Sequence, residues 1–269
     1  MSVLGSAIGG RRRRGRAAFV PFLTAGDPSP AWTARCVAAL EKAGADVIEL
    51  GVPFSDPIAD GPVIQRASQR ALAAGATLPK TLALVARLRR GGVDIPIVLF
   101  TYFNPLLRMG LARFAGAARK AGVQGVLVVD LPLEEAAKFR ATLGKSGLET
   151  VFLASPTTDP ARLARIGAAS TGFVYYVSRL GVTGARANLS GTLSLEVARV
   201  RKAVRKPVAV GFGVSTPAQA RAVGRVGDAV VVGSALVGLI EGRTPAAALR
   251  AVVNSASRMM TAMRDAKEK

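Results

Sequence analysis

One recurring pattern constrains this chain more than any other feature: an amphipathic stretch, a glycine, and then a short run of aliphatic residues. It occurs as Glu41-Lys42-Ala43-Gly44 before Asp46-Val47-Ile48-Glu49-Leu50, and as Arg119-Lys120-Ala121-Gly122 before Gly125-Val126-Leu127-Val128-Val129. It returns as Lys145-Ser146-Gly147 before Thr150-Val151-Phe152-Leu153, and as Arg225-Val226-Gly227 before Ala229-Val230-Val231-Val232. A glycine in the left-handed conformation ends a helix, and a continuous apolar run suits a parallel strand covered on both faces. Ala18 to Leu23, Ile97 to Phe100, Gly172 to Val177 and Val208 to Val210 fit the same strand role, which brings the count to eight. Helical patterns separate them, among them Leu133 to Leu143, Leu193 to Val204 and Thr216 to Val223, the last opened by Ser215-Thr216-Pro217 as cap and first turn. The pattern predicts an α/β fold, a single-domain (β/α)8 TIM barrel, with a doubly wound open sheet as the alternative. No Gly/Ser-rich linker divides the chain. The barrel is expected over residues 17–269, preceded by an Arg- and Gly-rich segment, 1–16, with no clear apolar stripe.

Composition then narrows the chemistry. With no His and one Cys, Cys36, the chain cannot build a Ser-His-Asp triad, a Cys-His pair, a His-ligated zinc site or an internal disulfide. No metal is expected, and acid-base work near neutral pH falls to Asp, Glu, Tyr or Lys. The cysteine usage fits a reduced, cytoplasmic protein. The 37 basic and 17 acidic residues give a net charge of +20. Apart from Arg11 to Arg14, the basic residues lie along helical stretches such as Ala86 to Arg90, where they read as a solvated outer face. No nucleic-acid-binding motif accompanies them, so the surplus points to an anionic substrate or an acidic partner surface. The stretch after Arg14 imitates an export signal only weakly, because Pro21 interrupts it, and no apolar run is long enough to span a membrane.

In such a barrel the chemistry belongs at the C-terminal ends of the strands. Glu49 stands there on the second strand, and the Pro- and Gly-rich loop after it adds Asp56 and Asp60. Position favours Glu49 as catalytic; a salt-bridged barrel carboxylate is the other reading, as turn formation is for Asp56 and Asp60. After the last three strands come Gly181-Val182-Thr183-Gly184, Gly211-Phe212-Gly213-Val214-Ser215 and Gly233-Ser234. Glycines let a backbone approach a ligand closely, so these three loops in consecutive order predict a phosphate cradle.

The segments Pro21 to Pro28, Glu49 to Pro57, Asp60 to Gln65 and Ser178 to Gly184 resemble the tryptophan synthase alpha subunit family. Order and spacing match from about Ala17 to Ile240, including Tyr102-Phe103-Asn104-Pro105, Asp130-Leu131-Pro132 and Gly211 to Ser215. The resemblance implies retro-aldol cleavage of indole-3-glycerol phosphate to indole and glyceraldehyde 3-phosphate. It implies Glu49 as general acid-base and Asp60 as its partner, with Tyr175 lining the site and Thr183 closing on Asp60. Phe22, Ile64, Tyr102, Leu127 and Leu153 would surround the indole, and Gly184, Gly211, Gly213, Gly233 and Ser234 would serve the phosphate end. Pro53, Asp56, Asn104 and Pro132 would face a beta subunit in an alpha2beta2 heterotetramer. No cofactor is implied on this chain; pyridoxal phosphate belongs to the beta subunit only.

Two features depart from the family pattern. The family opens with an amphipathic helix where residues 1–16 show no apolar stripe, and Phe100 is bulkier than the aliphatic residue expected beside the indole, so it either reshapes the pocket or points into the helix layer. Three other functions fit parts of the pattern: a free-standing indole-releasing lyase, a non-catalytic phosphate-binding barrel that activates a partner, and a phosphosugar isomerase. Intact Glu49 and Asp60 argue against the second, and the loop sequence against the third.

Overall fold

The computed structural model describes residues 2–13, 15–178, 189–211 and 213–264. Its strands are β1 (Ala18–Thr24), β2 (Ile48–Gly51), β3 (Ile97–Thr101), β4 (Gly125–Val128), β5 (Glu149–Ala154), β6 (Val174–Val177), β7 (Val208–Gly211) and β8 (Ala229–Val232). They pair in parallel in sequence order, and β8 returns to β1, so the sheet closes. The helices are α1 (Val3–Arg13), α2 (Pro30–Ala43), α3 (Pro62–Ala73), α4 (Leu78–Arg90), α5 (Phe103–Met109) and α6 (Leu111–Ala121) in the first half. The second half adds α7 (Ala137–Lys145), α8 (Pro160–Ala169), α9 (Leu189–Val204), α10 (Pro217–Val226), α11 (Ser234–Val237) and α12 (Pro245–Arg264). The open-sheet alternative is thereby excluded. Among the described residues no single helix is long and apolar enough to cross a membrane.

Because side chains alternate across a strand, each strand feeds two cores. Phe19, Leu23, Ile48, Leu50, Ile97 and Leu99 point outward into the layer shared with the helices. Ala18, Val20, Val47, Val98, Leu127, Val151 and Ala209 point inward and fill the barrel. Local signals set the helix ends, at Thr216 as expected. Ser29 accepts a hydrogen bond from the Trp32 amide at the start of α2, and Thr216 forms a capping box with Gln219 at the start of α10. Gly44 and Gly122 close α2 and α6 at φ 102° and 92°. Gly227 does not follow them: its φ is −81°, and it is needed for space, since a Cβ there would lie 3.0 Å from Val210 Cγ2. Helix α7 starts at Ala137 rather than Leu133, because 133–135 form a turn, with Glu135 N donating to Pro132 O.

The N-terminal segment also differs from the expectation of a stripe-less lead-in. Residues 3–13 are the helix α1, and Leu4 and Ile8, one turn apart, are fully buried in the barrel-interior cluster. The barrel makes room for them with missing side chains: a Cβ on Gly125 would sit 2.5 Å from Leu4 Cδ1, and one on Gly172 3.1 Å from the same atom. The cap of α1 comes from β5. The Glu149 carboxylate accepts hydrogen bonds from Ser2 Oγ and from the Val3 and Leu4 amides. A carboxylate is favoured at a helix N-terminus and cations at the C-terminus, and the basic run at the other end is used accordingly. Arg11 pairs with Asp46 and Arg12 with Asp228, two buried aspartates that also accept hydrogen bonds from the Phe19 and Val208 amides.

Removing buried methyl groups costs their transfer energy plus the cavity left behind, about 2 to 5 kcal/mol for a leucine. Leu4→Ala is therefore expected to lower unfolding stability by that amount in urea titration, whereas Ile58→Ala, on a residue 85% exposed, leaves it nearly unchanged. A loss below about 1 kcal/mol for Leu4→Ala would remove α1 from the core.

Candidate active site

Strand alternation places Glu49 inside the barrel directly above Val47, with Phe22 on β1 and Val98 on β3 as its register partners. The side chain is 2% exposed, and Oε1 has no hydrogen-bond partner among the described residues. Burial disfavours a charge, and a nearby like charge adds to the effect. Burial first, and then the charge of Asp60, push the Glu49 carboxyl up to about 8. At neutral pH it carries a proton.

Asp60 lies on the loop between β2 and α3, whose backbone is pinned by Gln65: its side-chain amide donates to Asp60 O at 2.8 Å. The Tyr102 hydroxyl donates to Asp60 Oδ2 at 3.1 Å and accepts from the Ala59 amide at 3.0 Å, while its ring stacks on Phe54. Burial raises Asp60 to about 6, with the Tyr102 hydroxyl pulling the other way. Near pH 7 the two carboxyls thus occupy opposite states. Tyr175 points inward from β6, and burial together with the Glu49 charge holds its hydroxyl well above the usual phenol range, so it stays neutral.

These groups open on one cavity of about 420 Å³ at the C-terminal mouth. Glu49, Asp60 and Tyr175 form its polar wall; Phe22, Ile64, Phe100, Val129 and Leu153 form its apolar part, and Gly213, Gly233 and Ser234 lie at the remaining end. Gly213 has φ 86°, which a side chain would strain. Nine of the residues expected at the site therefore share one lining: Phe22, Glu49, Asp60, Ile64, Leu153, Tyr175, Gly213, Gly233 and Ser234.

Three expected residues stand elsewhere. Tyr102 is behind Asp60 rather than in the lining, and Leu127 is fully buried in the barrel core. Gly211 serves Tyr175, because a Cβ there would collide with the tyrosine hydroxyl and ring. Thr183 and Gly184 lie outside the described residues. Phe100 faces the cavity and not the helix layer, in edge contact with Phe22. Val63, Val129, Val177, Val214 and Val231 also line the cavity, and nothing in the sequence separates them by type from core valines. Among the described residues no group of three or more His, Cys, Asp or Glu could hold a metal ion.

On the rim, Asp56, Asn104 and Pro132 are exposed, while Pro53 is buried within the chain. The exposed apolar residues Ile58 and Leu107 share the loop of Asp56 and the helix of Asn104 respectively.

The family model described as "Tryptophan synthase alpha chain" matches residues 10–267. The chain is 50% identical over 263 residues to the tryptophan synthase alpha chain of Geobacter sulfurreducens, covering 98% of this chain and 99% of the relative. Its fold matches the crystal structure of the tryptophan synthase alpha chain from Legionella pneumophila with TM-score 0.90, 35% identity and full coverage of both chains. A chain of the tryptophan synthase α2β2 complex from Pyrococcus furiosus matches with TM-score 0.84 and 41% identity over 91% of this chain and 98% of that one.

The protonated Glu49 carries a stability consequence with a definite sign. The folded carboxyl holds its proton up to about pH 8, whereas an unfolded one releases it near 4.5, so the folded form binds the extra proton between these values. Stability contributed by this group falls as pH rises through that window, on the order of 1.4 kcal/mol per pH unit. Glu49→Gln removes the titration. Chemical denaturation at pH 5 and pH 9 should show the variant gaining several kcal/mol relative to the wild type at the higher pH; an equal difference at both would refute the buried neutral acid.

Proposed function

The chain belongs to the tryptophan synthase alpha chain family, and on that footing we propose how its cavity performs the retro-aldol cleavage of indole-3-glycerol phosphate to indole and glyceraldehyde 3-phosphate. The observation that carries the assignment is one cavity holding a buried carboxyl that is neutral near pH 7 and a second that is ionised. Cleavage of the carbon-carbon bond needs both. Protonation of indole C3 makes the ring an electron sink, with positive charge developing at the ring nitrogen. Glu49, as the acid, gives that proton. Asp60, as the carboxylate, faces the ring N-H and stabilises the charge. Glu49 is now the base: it takes the proton of the hydroxyl on the carbon attached to the ring. The carbon-carbon bond breaks, its electron pair returns to the ring and neutralises the nitrogen, and the alcohol carbon leaves as the aldehyde. Glu49 ends the cycle protonated, so the step balances with no added co-reactant.

The surrounding residues serve this sequence. Phe22, Ile64, Phe100, Val129 and Leu153 take the apolar ring, and Tyr175 keeps a neutral hydroxyl beside Glu49. Gly213, Gly233 and Ser234 take the phosphate, and Gly184 and Thr183 stand with them on the family pattern alone. Tyr102 acts on the reaction by orienting Asp60. The chain itself uses no cofactor; the pyridoxal phosphate of the holoenzyme belongs to the beta subunit, and we place the protein in the cytoplasm. The partner is that beta subunit in an alpha2beta2 assembly, as in the Pyrococcus furiosus complex. Asp56, Asn104 and Pro132, with the apolar Ile58 and Leu107 between them in sequence, make the surface that meets it.

General acid-base catalysis contributes about 10²- to 10⁴-fold, and one residue here serves two proton transfers, so Glu49→Gln should lose at least the upper figure in indole release. Retention of about a tenth of the wild-type rate would overturn the assignment. In the wild type, kcat/KM should rise as pH passes about 6, where Asp60 ionises, and fall as pH passes about 8, where Glu49 loses its proton. Measured with and without a beta subunit, the same assay separates a coupled alpha subunit from a free-standing lyase. A glycine-specific test completes the set: Gly213→Val should raise KM for the phosphorylated substrate while the barrel remains folded.

A further inference from the structure

We propose that Phe100 is a specificity-determining residue: braced by Phe22, it forms an unyielding side of the aryl-binding half of the cavity, and it excludes substituents on the six-membered ring of the indole that point toward β3. The inference rests on the reading of the cavity as the indole site. Its content is different, because it concerns which indoles the site refuses.

Phe100 follows Val98 on the inward face of β3 and lies in register with Gly51 on β2. Its ring meets that of Phe22 edge to face, centroids 5.4 Å apart and planes at 82°, an arrangement that aromatic quadrupoles favour. Phe22 in turn is backed by the β2 backbone. A Cβ on Gly51 would lie 2.5 Å from Phe22 Cζ and 2.9 Å from Cε2, so the phenyl ring fills the space that a side chain at Gly51 would occupy. Phe22 is also buried in a cluster with the fully buried Ala67 and Val237, while toward Gly233 there is still room for a methyl group, since an added Cβ would sit 3.6 to 3.8 Å away. The Gly51 backbone and the Ala67–Val237 cluster hold Phe22, and Phe22 holds Phe100.

The side formed by β5 and the end of β4 is built differently. Val129 and Leu153 line the active cavity and also line a second cavity of about 440 Å³, bounded further by Asp130, Phe152 and Arg162. These two residues thus stand between two open spaces, without a packed layer such as the one behind Phe100. A close-packed wall rejects even one added carbon, whereas a wall backed by a void accepts it by rearrangement. The cavity therefore has one rigid side and one compliant side, and the chain discriminates between ring positions rather than by overall size.

One extra carbon against a fitted apolar wall is worth roughly 10- to 200-fold in kcat/KM. The test compares indole-3-glycerol phosphate with its four analogues carrying a methyl group on the six-membered ring, each at the wild type, Phe100→Leu and Phe100→Tyr, in complex with the beta subunit. The expected wild-type result is a loss of about tenfold or more at one or two ring positions and a change of less than about threefold at the others. Phe100→Leu should raise the substituted-to-unsubstituted ratio at the refused positions by about tenfold and leave it nearly unchanged elsewhere. Phe100→Tyr, which keeps the ring, should retain the wild-type pattern. A ratio is read within one protein, so a general loss of activity does not imitate it. Equal ratios at all four positions in the wild type, or a uniform shift in Phe100→Leu, would overturn the proposal. Equilibrium binding of the same compounds to Glu49→Gln reads the filter without turnover. Positional selectivity in binding with no indole release by the wild type would refute the catalytic reading alone, and no binding of any compound would overturn both.

Discussion

A closed barrel has no sheet edge to leave unpaired, but it has a single interior that must be filled from one end to the other. Everything distinctive about this chain follows from how that interior is divided. Toward the N-terminal end several positions that face the interior are small, among them Ala18, Gly125, Gly172, Ala209 and Ala229, and the space is filled by Phe173 and, from outside, by Leu4 and Ile8 of α1. In the middle, Val20, Val47, Val98, Leu127 and Val151 pack against one another. At the C-terminal end the filling stops, and the same inward register that placed Val20, Val47, Val98 and Phe173 below now presents Phe22, Glu49, Phe100 and Tyr175 to an open cavity. Cavity-lining and structural positions are thus two rungs of one ladder.

The ladder explains why Glu49 is expensive and why the expense is useful. A carboxyl two residues above Val47 on an inward face is surrounded by hydrocarbon and left with an unpartnered oxygen. A buried charge without a partner costs so much that the group keeps its proton instead. The site therefore makes a neutral-pH acid out of an ordinary glutamate by position alone. Asp60 shows the complementary design. It sits on a loop, only partly buried, with a tyrosine hydroxyl donating to it, and so ionises about two pH units below Glu49. Pushing two carboxyls apart by environment is how one site obtains an acid and an anion together.

What could be read in advance follows the range of the interactions involved. All eight strands were legible, because a parallel strand buried on both faces writes itself as a local apolar run, and before β2, β4, β5 and β8 a glycine after the preceding helix marks the start. The lining residues Glu49 and Asp60 were legible through their motif. Helix α1 was not, because only Leu4 and Ile8 form its apolar stripe and its cap is a glutamate from β5, 145 to 147 residues away in sequence. Gly211 illustrates the same limit at the site. Its glycine suggested a ligand's backbone approach, yet its neighbour is the Tyr175 ring, supplied by the adjacent strand. Phe100 was visible as an unusual residue, but its orientation depends on the parity of β3, and its rigidity on Gly51 of the strand beside it.

The loop after β2 joins the chemistry to the rim by a very short path. Between Ser55 and Gly61 it carries Asp56 and Ile58 on the exposed side and Asp60 on the cavity side. Tyr102 reaches this loop twice, through the Ala59 amide and the Asp60 carboxylate, and it is also the residue that begins α5, whose first turn carries the exposed Asn104. A protein seated on Ile58 and Asn104 would touch both ends of a unit held together by those two hydrogen bonds. Any displacement of α5 relative to the loop moves the hydroxyl that orients Asp60, and with it the balance between the charged and neutral carboxylate. On the proposed partner face, then, no long relay is required to link docking with catalysis: the ionised carboxylate and the docking residues share one loop and one tyrosine.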